Sequence, residues 1–154
     1  MTAYRIVPDD LTTPAVLDLL QFHLDEMYQW SPPESVHAMP TERLRAPDVS
    51  FFAAWDGEAL AAVGALKKLG DGRGELKSMR AVPAYRGRGA GEAILLHLLA
   101  EAQQRGCRWL GLETGRPAPF LPARRLYEKH GFAECAPFGD YMPDDFSLCM
   151  EREL

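Results

Sequence analysis

Apolar residues recur along the chain with two different spacings, and the spacing predicts which segments are helices and which are strands. Helical spacing covers residues 14–29, 91–105 and 120–129, where apolar positions fall three or four residues apart. Two threonines precede Pro14, so we expect a hydroxyl cap and a proline in the first turn of the first helix. Gly106 is a typical residue for ending the second helix.

Short apolar segments bounded by turn residues predict the strands. Asp56-Gly57 is a typical hairpin turn, and the strand, helix, strand order around residues 91–105 predicts a parallel βαβ unit. Together with a short helix near residues 41–44, these segments predict an α/β fold: a mixed central sheet of about six to seven strands flanked by about four helices. The sequence shows no internal boundary, so residues 1–154 are expected to form one domain. The predicted strands cover residues 4–7, 49–55, 60–69, 75–82 and 109–114, a segment beginning near residue 132, and residues 147–151.

Three glycines within five residues separate a predicted strand from a predicted helix. Gly87, Gly89 and Gly91 are interleaved with Arg86 and Arg88 and lead directly into the apolar stripe of the helix. Glycine permits positive φ angles and lets a ligand approach the bare backbone. A helix that begins there points its free N–H groups and the positive end of its dipole at the same space. The segment therefore predicts an anion site, and phosphate is the expected anion.

This loop and a second motif resemble the GCN5-related N-acetyltransferase (GNAT) family. The coenzyme A loop of that family reads Arg-x-x-Gly-x-Gly, which matches Arg86, Gly89 and Gly91 on a strand ending in Val-Pro. Residues 123–132, Ala-Arg-Arg-Leu-Tyr-Glu-Lys-His-Gly-Phe, are similar to the second signature, A-x-x-L-Y-x-x-x-G-F. The segments Glu-Leu-Lys-Ser-Met-Arg and Phe-Gly-Asp-Tyr resemble the small bacterial subgroup of YsnE and YafP type. Phe120 departs from the family, because many members carry an asparagine seven residues before the tyrosine.

The resemblance implies an enzyme and a cofactor. The implied reaction is transfer of the acetyl group of acetyl-CoA to a primary amine of a small molecule, by direct attack in a ternary complex and without a metal. Two alternatives stay open at this point: a non-catalytic domain that binds or senses acyl-CoA, and acetylation of a protein or peptide amine. The fold alone does not choose among acceptors.

The resemblance also assigns roles to individual residues. Tyr127 matches the tyrosine that in many members protonates the departing thiolate, although it could simply pack against the sheet. Glu75 is the predicted base, directly or through a water molecule, although it could be a solvated residue paired with a neighbouring cation. Glu113 is a second acid-base candidate. The predicted cofactor contacts are Met79, Arg80, Ala81, Arg86, Gly87, Arg88, Gly89, Ala90 and Gly91. The predicted acceptor contacts are Ser31, Glu34, His37, Glu113, Thr114 and Tyr141.

Composition narrows the partners and the compartment. A formal net charge of −5 argues against a nucleic-acid binder, since such proteins carry basic surfaces. Cys107, Cys135 and Cys149 are odd in number and lack C-x-x-C spacing, which favours free thiols in a reducing compartment. The four histidines have no metal-ligand spacing, and no segment reaches membrane-spanning length. We therefore expect a cytoplasmic protein with no metal and no membrane partner, whose strand edges would allow a homodimer.

Overall fold

One seven-stranded sheet organises the computed structural model, which describes residues 3–37 and 39–154. The strand order is β1-β2-β3-β4-β5-β7-β6, and every neighbouring pair is antiparallel except β4 and β5, which are parallel. The predicted mixed sheet and βαβ unit are confirmed. The strands are β1 (Arg5–Pro8), β2 (Val49–Asp56), β3 (Ala59–Gly70), β4 (Arg73–Ala81), β5 (Trp109–Gly115), β6 (Ala133–Cys135) and β7 (Ser147–Glu153).

Helices cover both faces of the sheet. Within the described residues, α3 (Ala90–Gln104) packs against β2, β3 and β4, whereas α1 (Pro14–Trp30) and α2 (Thr41–Leu44) pack on the other side. None of these helices is both long enough and apolar enough to cross a membrane. The helices are α1 (Pro14–Trp30), α2 (Thr41–Leu44), α3 (Ala90–Gln104) and α4 (Leu121–Lys129), with short 3₁₀ helices at Pro33–Ser35, Pro83–Tyr85 and Ala118–Phe120.

The N-terminus of α1 corrects one prediction. Pro14 occupies the first turn as expected, but the hydroxyl of Thr13 does not cap the helix. It donates instead to a carboxylate oxygen of Asp9 at 2.9 Å. A capping hydroxyl accepts from a backbone N–H of the first turn, whereas this hydroxyl is oriented to donate to a charged carboxylate, which forms a strong hydrogen bond.

Close packing of α3 on the sheet fixes where the glycine loop sits. Ile94, Leu95 and Leu98 are fully buried, and each contributes about 1.5–3 kcal/mol by leaving water. Gly64 of β3 lies beneath them, where an added Cβ would come within 2.5 Å of the Ile94 side chain. The bare backbone at Gly64 therefore lets α3 lie close to the sheet, with its N-terminus above the end of β4.

A cleft opens between β4 and β5. The two strands pair only through residues 73–75 and 109–111, and their carboxyl halves do not pair. Ser78 has a φ of 54°, and the register of β4 on β3 shifts at this point. Such a bulge bends the strand and increases its local twist. The carboxyl ends of parallel strands are where open α/β sheets bind ligands, so this cleft is the first place to look for a site.

Candidate active site

Within residues 3–37 and 39–154, the edge of β4 that faces the cleft has no strand paired with it beyond Glu75. The N–H of Val82 donates to the carbonyl of Ala61 at 2.8 Å, so Val82 and, two residues earlier, Arg80 point their backbone groups at β3. Backbone direction alternates along a strand, so the N–H and C=O groups of Met79 and Ala81 point into the cleft. Met79 and Ala81 are among the predicted cofactor contacts, and within the described residues their main-chain groups find no partner.

The glycine loop is open where a ligand would sit. Gly87 and Gly89 have φ angles of 73° and 82°, and a Cβ added at either position would meet no atom within 4 Å. Across residues 3–37 and 39–154, the backbone N–H groups of Gly87, Gly89, Ala90 and Gly91 find no hydrogen-bond acceptor. Four free donors at the positive end of α3 fit a pyrophosphate group.

Neighbouring side chains fix this loop in place. The hydroxyl of Tyr4 donates to the carbonyl of Arg88 at 2.7 Å, and the Arg88 guanidinium lies 4.5 Å from the ring centre of Tyr85. The hydroxyl of Tyr85 in turn donates to Asp56 at 2.7 Å. Arg86 extends from the loop with about half of its side chain exposed, so its charge is available to an incoming anion.

A cavity of about 310 Å³ extends from the cleft toward α1. It brings together most of the predicted site residues, but Glu34 and Glu75 do not line it. The loop residues from Gly87 to Gly91 lie outside the cavity, at the start of α3. The predicted residues that line it are Ser31, His37, Met79, Arg80, Ala81, Arg86, Glu113, Thr114, Tyr127 and Tyr141.

Tyr127 lies in this cavity with its side chain buried. Burial, followed by the nearby charge of Glu113, raises the pKa of the phenol well above its ordinary value. The hydroxyl has no hydrogen-bond partner in the part of the chain that the structure describes. The phenol therefore stays protonated at neutral pH and has a proton to donate into the cavity.

Glu75 lies in a closed group of three side chains. Its carboxylate accepts a hydrogen bond from the hydroxyl of Tyr141 at 2.5 Å and lies 3.4 Å from the ammonium of Lys77. Lys77 also donates to the Tyr141 hydroxyl at 2.8 Å. The residue is 4% exposed, so the expectation of a solvated side chain is wrong, whereas the expected pairing with a neighbouring cation is present. Both partners contact the same carboxylate oxygen, Oε2.

Glu113 has the opposite environment. It follows Leu112 near the end of β5 and lines the cavity, and burial raises its pKa to about 8. The charge of Lys77 lowers that pKa, whereas the charges of Glu75 and Asp144 raise it further. A carboxyl group that titrates near neutral pH is suited to accept and release a proton during turnover.

The structure adds a polar group that the sequence did not single out. His23 of α1 lines the cavity, and its Nδ1 atom is buried with no hydrogen-bond partner among the described residues. Burial, and then the charge of Arg80, lower its pKa to about 4, so the ring is neutral. Its signal in the sequence is its place on the apolar stripe of α1, between Leu20 and Met27.

Phe120 fills space at the position where many members of the resembled family carry asparagine. Its ring packs edge to face with Trp30 at 5.6 Å and lies over Gly115, where an added Cβ would come within 2.3 Å of the ring. The residue is buried and lines the cavity. An apolar wall therefore stands where the expected polar contact would be.

Comparison with known proteins gives consistent matches. Residues 16–132 match a family model described as acetyltransferase (GNAT) family. The chain is 50% identical to the uncharacterized N-acetyltransferase YedL of Escherichia coli over 98% of this chain and 99% of that protein. It is 47% identical to the uncharacterized N-acetyltransferase YsnE of Bacillus subtilis, over 95% and 97% of the two chains. The fold is similar to that of a Bacillus subtilis acetyltransferase solved in complex with CoA, with a TM-score of 0.74, 18% identity and 99% of both chains covered.

Proposed function

Because the chain belongs to the acetyltransferase (GNAT) family, we propose that it acetylates the primary amine of a small molecule by direct attack in a ternary complex. Its family and relatives make it an acetyl-CoA-dependent N-acetyltransferase. The acceptor and the direct attack are our proposals. The observation that carries them is that Tyr127, Glu113 and the open edge of β4 share one cavity. Two proton-transfer groups therefore flank the place where the thioester would lie.

The residues at the end of β4 and the start of α3 hold the cofactor in this proposal. The free N–H groups from Gly87 to Gly91 bind the pyrophosphate, and Arg86 adds positive charge. Main-chain groups of Met79 and Ala81 bind the pantetheine arm as an added strand binds a sheet edge. Bound acetyl-CoA supplies the acetyl group as an activated thioester. These contacts would position the thioester carbonyl carbon beside the acceptor amine, which would reduce the entropic cost of the reaction.

Glu113 and Tyr127 move the protons. Glu113 accepts a proton from the ammonium of the acceptor, and the freed lone pair forms a C–N bond to the thioester carbonyl carbon. As the C–S bond breaks, the hydroxyl of Tyr127 donates its proton to the sulfur. The proton left on the new amide nitrogen returns through solvent to the phenolate of Tyr127. Glu113 releases its proton to solvent, so both side chains are reset before the next turnover.

Glu113 is favoured over Glu75 as the base on geometry. Glu113 lines the cavity, whereas Glu75 lies outside it and is bound by Lys77 and Tyr141. Proton transfer needs hydrogen-bond contact, either direct or through one water molecule. We therefore propose that Glu75 positions Lys77 and Tyr141, and that Glu113, not Glu75, is the base.

A screen of amines with detection of free thiol tests the function. We expect small primary amines to release CoA thiol from acetyl-CoA, and Glu113→Gln to lower the rate about 100-fold or more. Glu58→Gln, on an exposed turn, is the matched control. Binding of CoA without thiol release by any amine would favour a sensor domain. Release by peptides alone would favour a protein acceptor.

A further inference from the structure

We propose that the acceptor is a free amino acid, whose carboxylate binds Arg80 and His23 on the α1 side of the cavity. The inference rests on the proposed function, because it identifies the molecule whose amine meets Tyr127 and Glu113. Arg80 is one of the residues that the sequence predicted to contact the cofactor. The backbone of Arg80 pairs with β3, and its side chain lies against α1, so its guanidinium faces the acceptor side of the cleft.

The Arg80 guanidinium is buried without enough partners. Its side chain is 9% exposed, and its Nε atom has no hydrogen-bond acceptor within the residues described. The rings of Phe22 and Trp30 lie 5.0 and 5.7 Å from the guanidinium carbon. A buried guanidinium with an unused donor is costly, and a carboxylate is the ligand that its planar donor set fits best.

The charges around Arg80 leave room for an anion. Glu26 forms ion pairs with both Arg80 and Arg86, so one carboxylate serves two guanidinium groups. Burial, and then the charge of Arg86, lower the pKa of Arg80 to about 10, so the group remains a cation at neutral pH. Arg86 is assigned to the pyrophosphate, but Glu26 contacts Arg80 through one nitrogen, Nη2, so the rest of the Arg80 guanidinium is left for a second carboxylate.

His23 supplies a second donor at the same place. Its Nδ1 atom is buried and finds no partner in the described part of the chain, and its ring is close enough to Arg80 for that charge to lower its pKa. As a neutral ring it can donate one N–H to a carboxylate oxygen while Arg80 binds from its own side. Two side chains with unpartnered polar atoms therefore line one wall, and both suit the same ligand; binding would require them to turn these buried nitrogens toward the cavity.

The two sides of the cavity then match the two ends of an amino acid. Arg80 and His23 are chemically suited to a carboxylate, and Glu113 and Tyr127 are suited to an amine undergoing acetylation. The same wall disfavours polyamines, because a second ammonium would face Arg80 with its like charge. The proposal is therefore specific in two directions: it requires the carboxylate and it penalises an extra cation.

Matched acceptors test this directly. Thiol release and equilibrium binding to the protein–CoA complex would be measured for the twenty common amino acids, each beside its carboxamide and its decarboxylated amine. We expect at least one amino acid to exceed both analogues about tenfold or more in kcat/KM and in affinity, since bonds to charged groups are the strong ones. Arg80→Lys should remove most of that preference, whereas Arg125→Gln, on an exposed face of α4, should leave it unchanged.

The outcomes separate this inference from the proposed function. Equal use of amino acids, amides and simple amines would overturn the carboxylate site while leaving small-amine acetylation intact. Thiol release with none of the amines would overturn the proposed function, and the binding measurement would still decide whether the carboxylate is recognised. Binding of amino acids no tighter than of their amides to the wild-type complex would overturn the inference without any variant.

Discussion

Tyr127 allows the sharpest test at the scale of a single residue. Tyr127→Phe keeps the ring and removes only the hydroxyl, which has no partner among the described residues. We expect kcat to fall about 100-fold or more, because protonation of the departing thiolate is lost. The affinity for CoA should stay within about twofold, because neither the loop nor the edge of β4 changes.

Steady-state kinetics and CoA titration measure the two effects separately. Tyr28→Phe is the matched control, because Tyr28 is 57% exposed on α1 and does not line the cavity. If Tyr127→Phe instead weakened CoA binding and left kcat unchanged, the phenol would belong to the cofactor site and not to proton transfer.

If Glu113 is the base, kcat/KM should depend on pH in a definite direction. Only the ionised carboxylate can accept a proton, and burial raises the pKa of this group to about 8. We therefore expect kcat/KM to rise as the pH increases toward 8 and to level off above it. In Glu113→Gln this limb should disappear, leaving only the titration of the acceptor amine. An identical profile in the wild type and the variant would count against Glu113 as the base.

The sequence was sufficient to identify the motif residues, but it was not sufficient to choose the catalytic base. Tyr127 and the glycines fall in short motifs with fixed spacing, so the sequence was sufficient to single them out. The choice between Glu75 and Glu113 depends on burial and on Tyr141, which lies 66 residues beyond Glu75 in the chain. No local sequence pattern indicates a contact over that separation, so the sequence alone favoured Glu75 as the base.

At the scale of elements, the role of the start of α3 in binding CoA can be tested by comparing substitutions at its two ends. Gly89 and Gly106 flank the same helix with φ angles of 82° and 80°, and an added Cβ would meet no atom at either position. Gly89→Val and Gly106→Val should therefore lose similar stability, about 1–2 kcal/mol from backbone strain. Only Gly89→Val should lose CoA binding, because the valine side chain would occupy the space where the pyrophosphate binds.

Calorimetric titration with CoA and urea unfolding of both variants provide the comparison. Unchanged CoA affinity in folded Gly89→Val would place the pyrophosphate elsewhere. Loss of affinity in both variants would mean that helix stability, and not access to the loop, controls binding.

The order of elements was predictable, but the cleft was not. Hydrophobic spacing identified the strands and helices, and chain order fixed the parallel pair of β4 and β5. The separation of those strands depends on Ser78, a non-glycine residue at a φ of 54° without any turn signal around it. The bulge lies in the β4 segment that pairs with β3, and strand propensity does not encode such a register shift.

At the scale of the whole molecule, the cofactor should stabilise the fold. CoA would join the end of β4 to the start of α3, and at 100 times Kd it should add about 2.7 kcal/mol. For a chain of this length that corresponds to a rise in Tm of about 5–10 °C. The predicted single domain should unfold in one transition by calorimetry and by circular dichroism. Two separated transitions, or a rise in Tm for Gly89→Val as large as for wild type, would contradict this.

The backbone of β4 offers the most direct test of the central claim, that its free edge and the glycine loop bind the cofactor. Amide hydrogen exchange would be followed residue by residue with and without CoA. The amides of Arg80 and Val82 face β3 and should be slow in both states. The amides of Met79, Ala81 and Gly89 should exchange rapidly in the free protein and slow about tenfold or more with CoA. If these three amides were unaffected by saturating CoA, the cofactor would bind elsewhere and the account would be wrong.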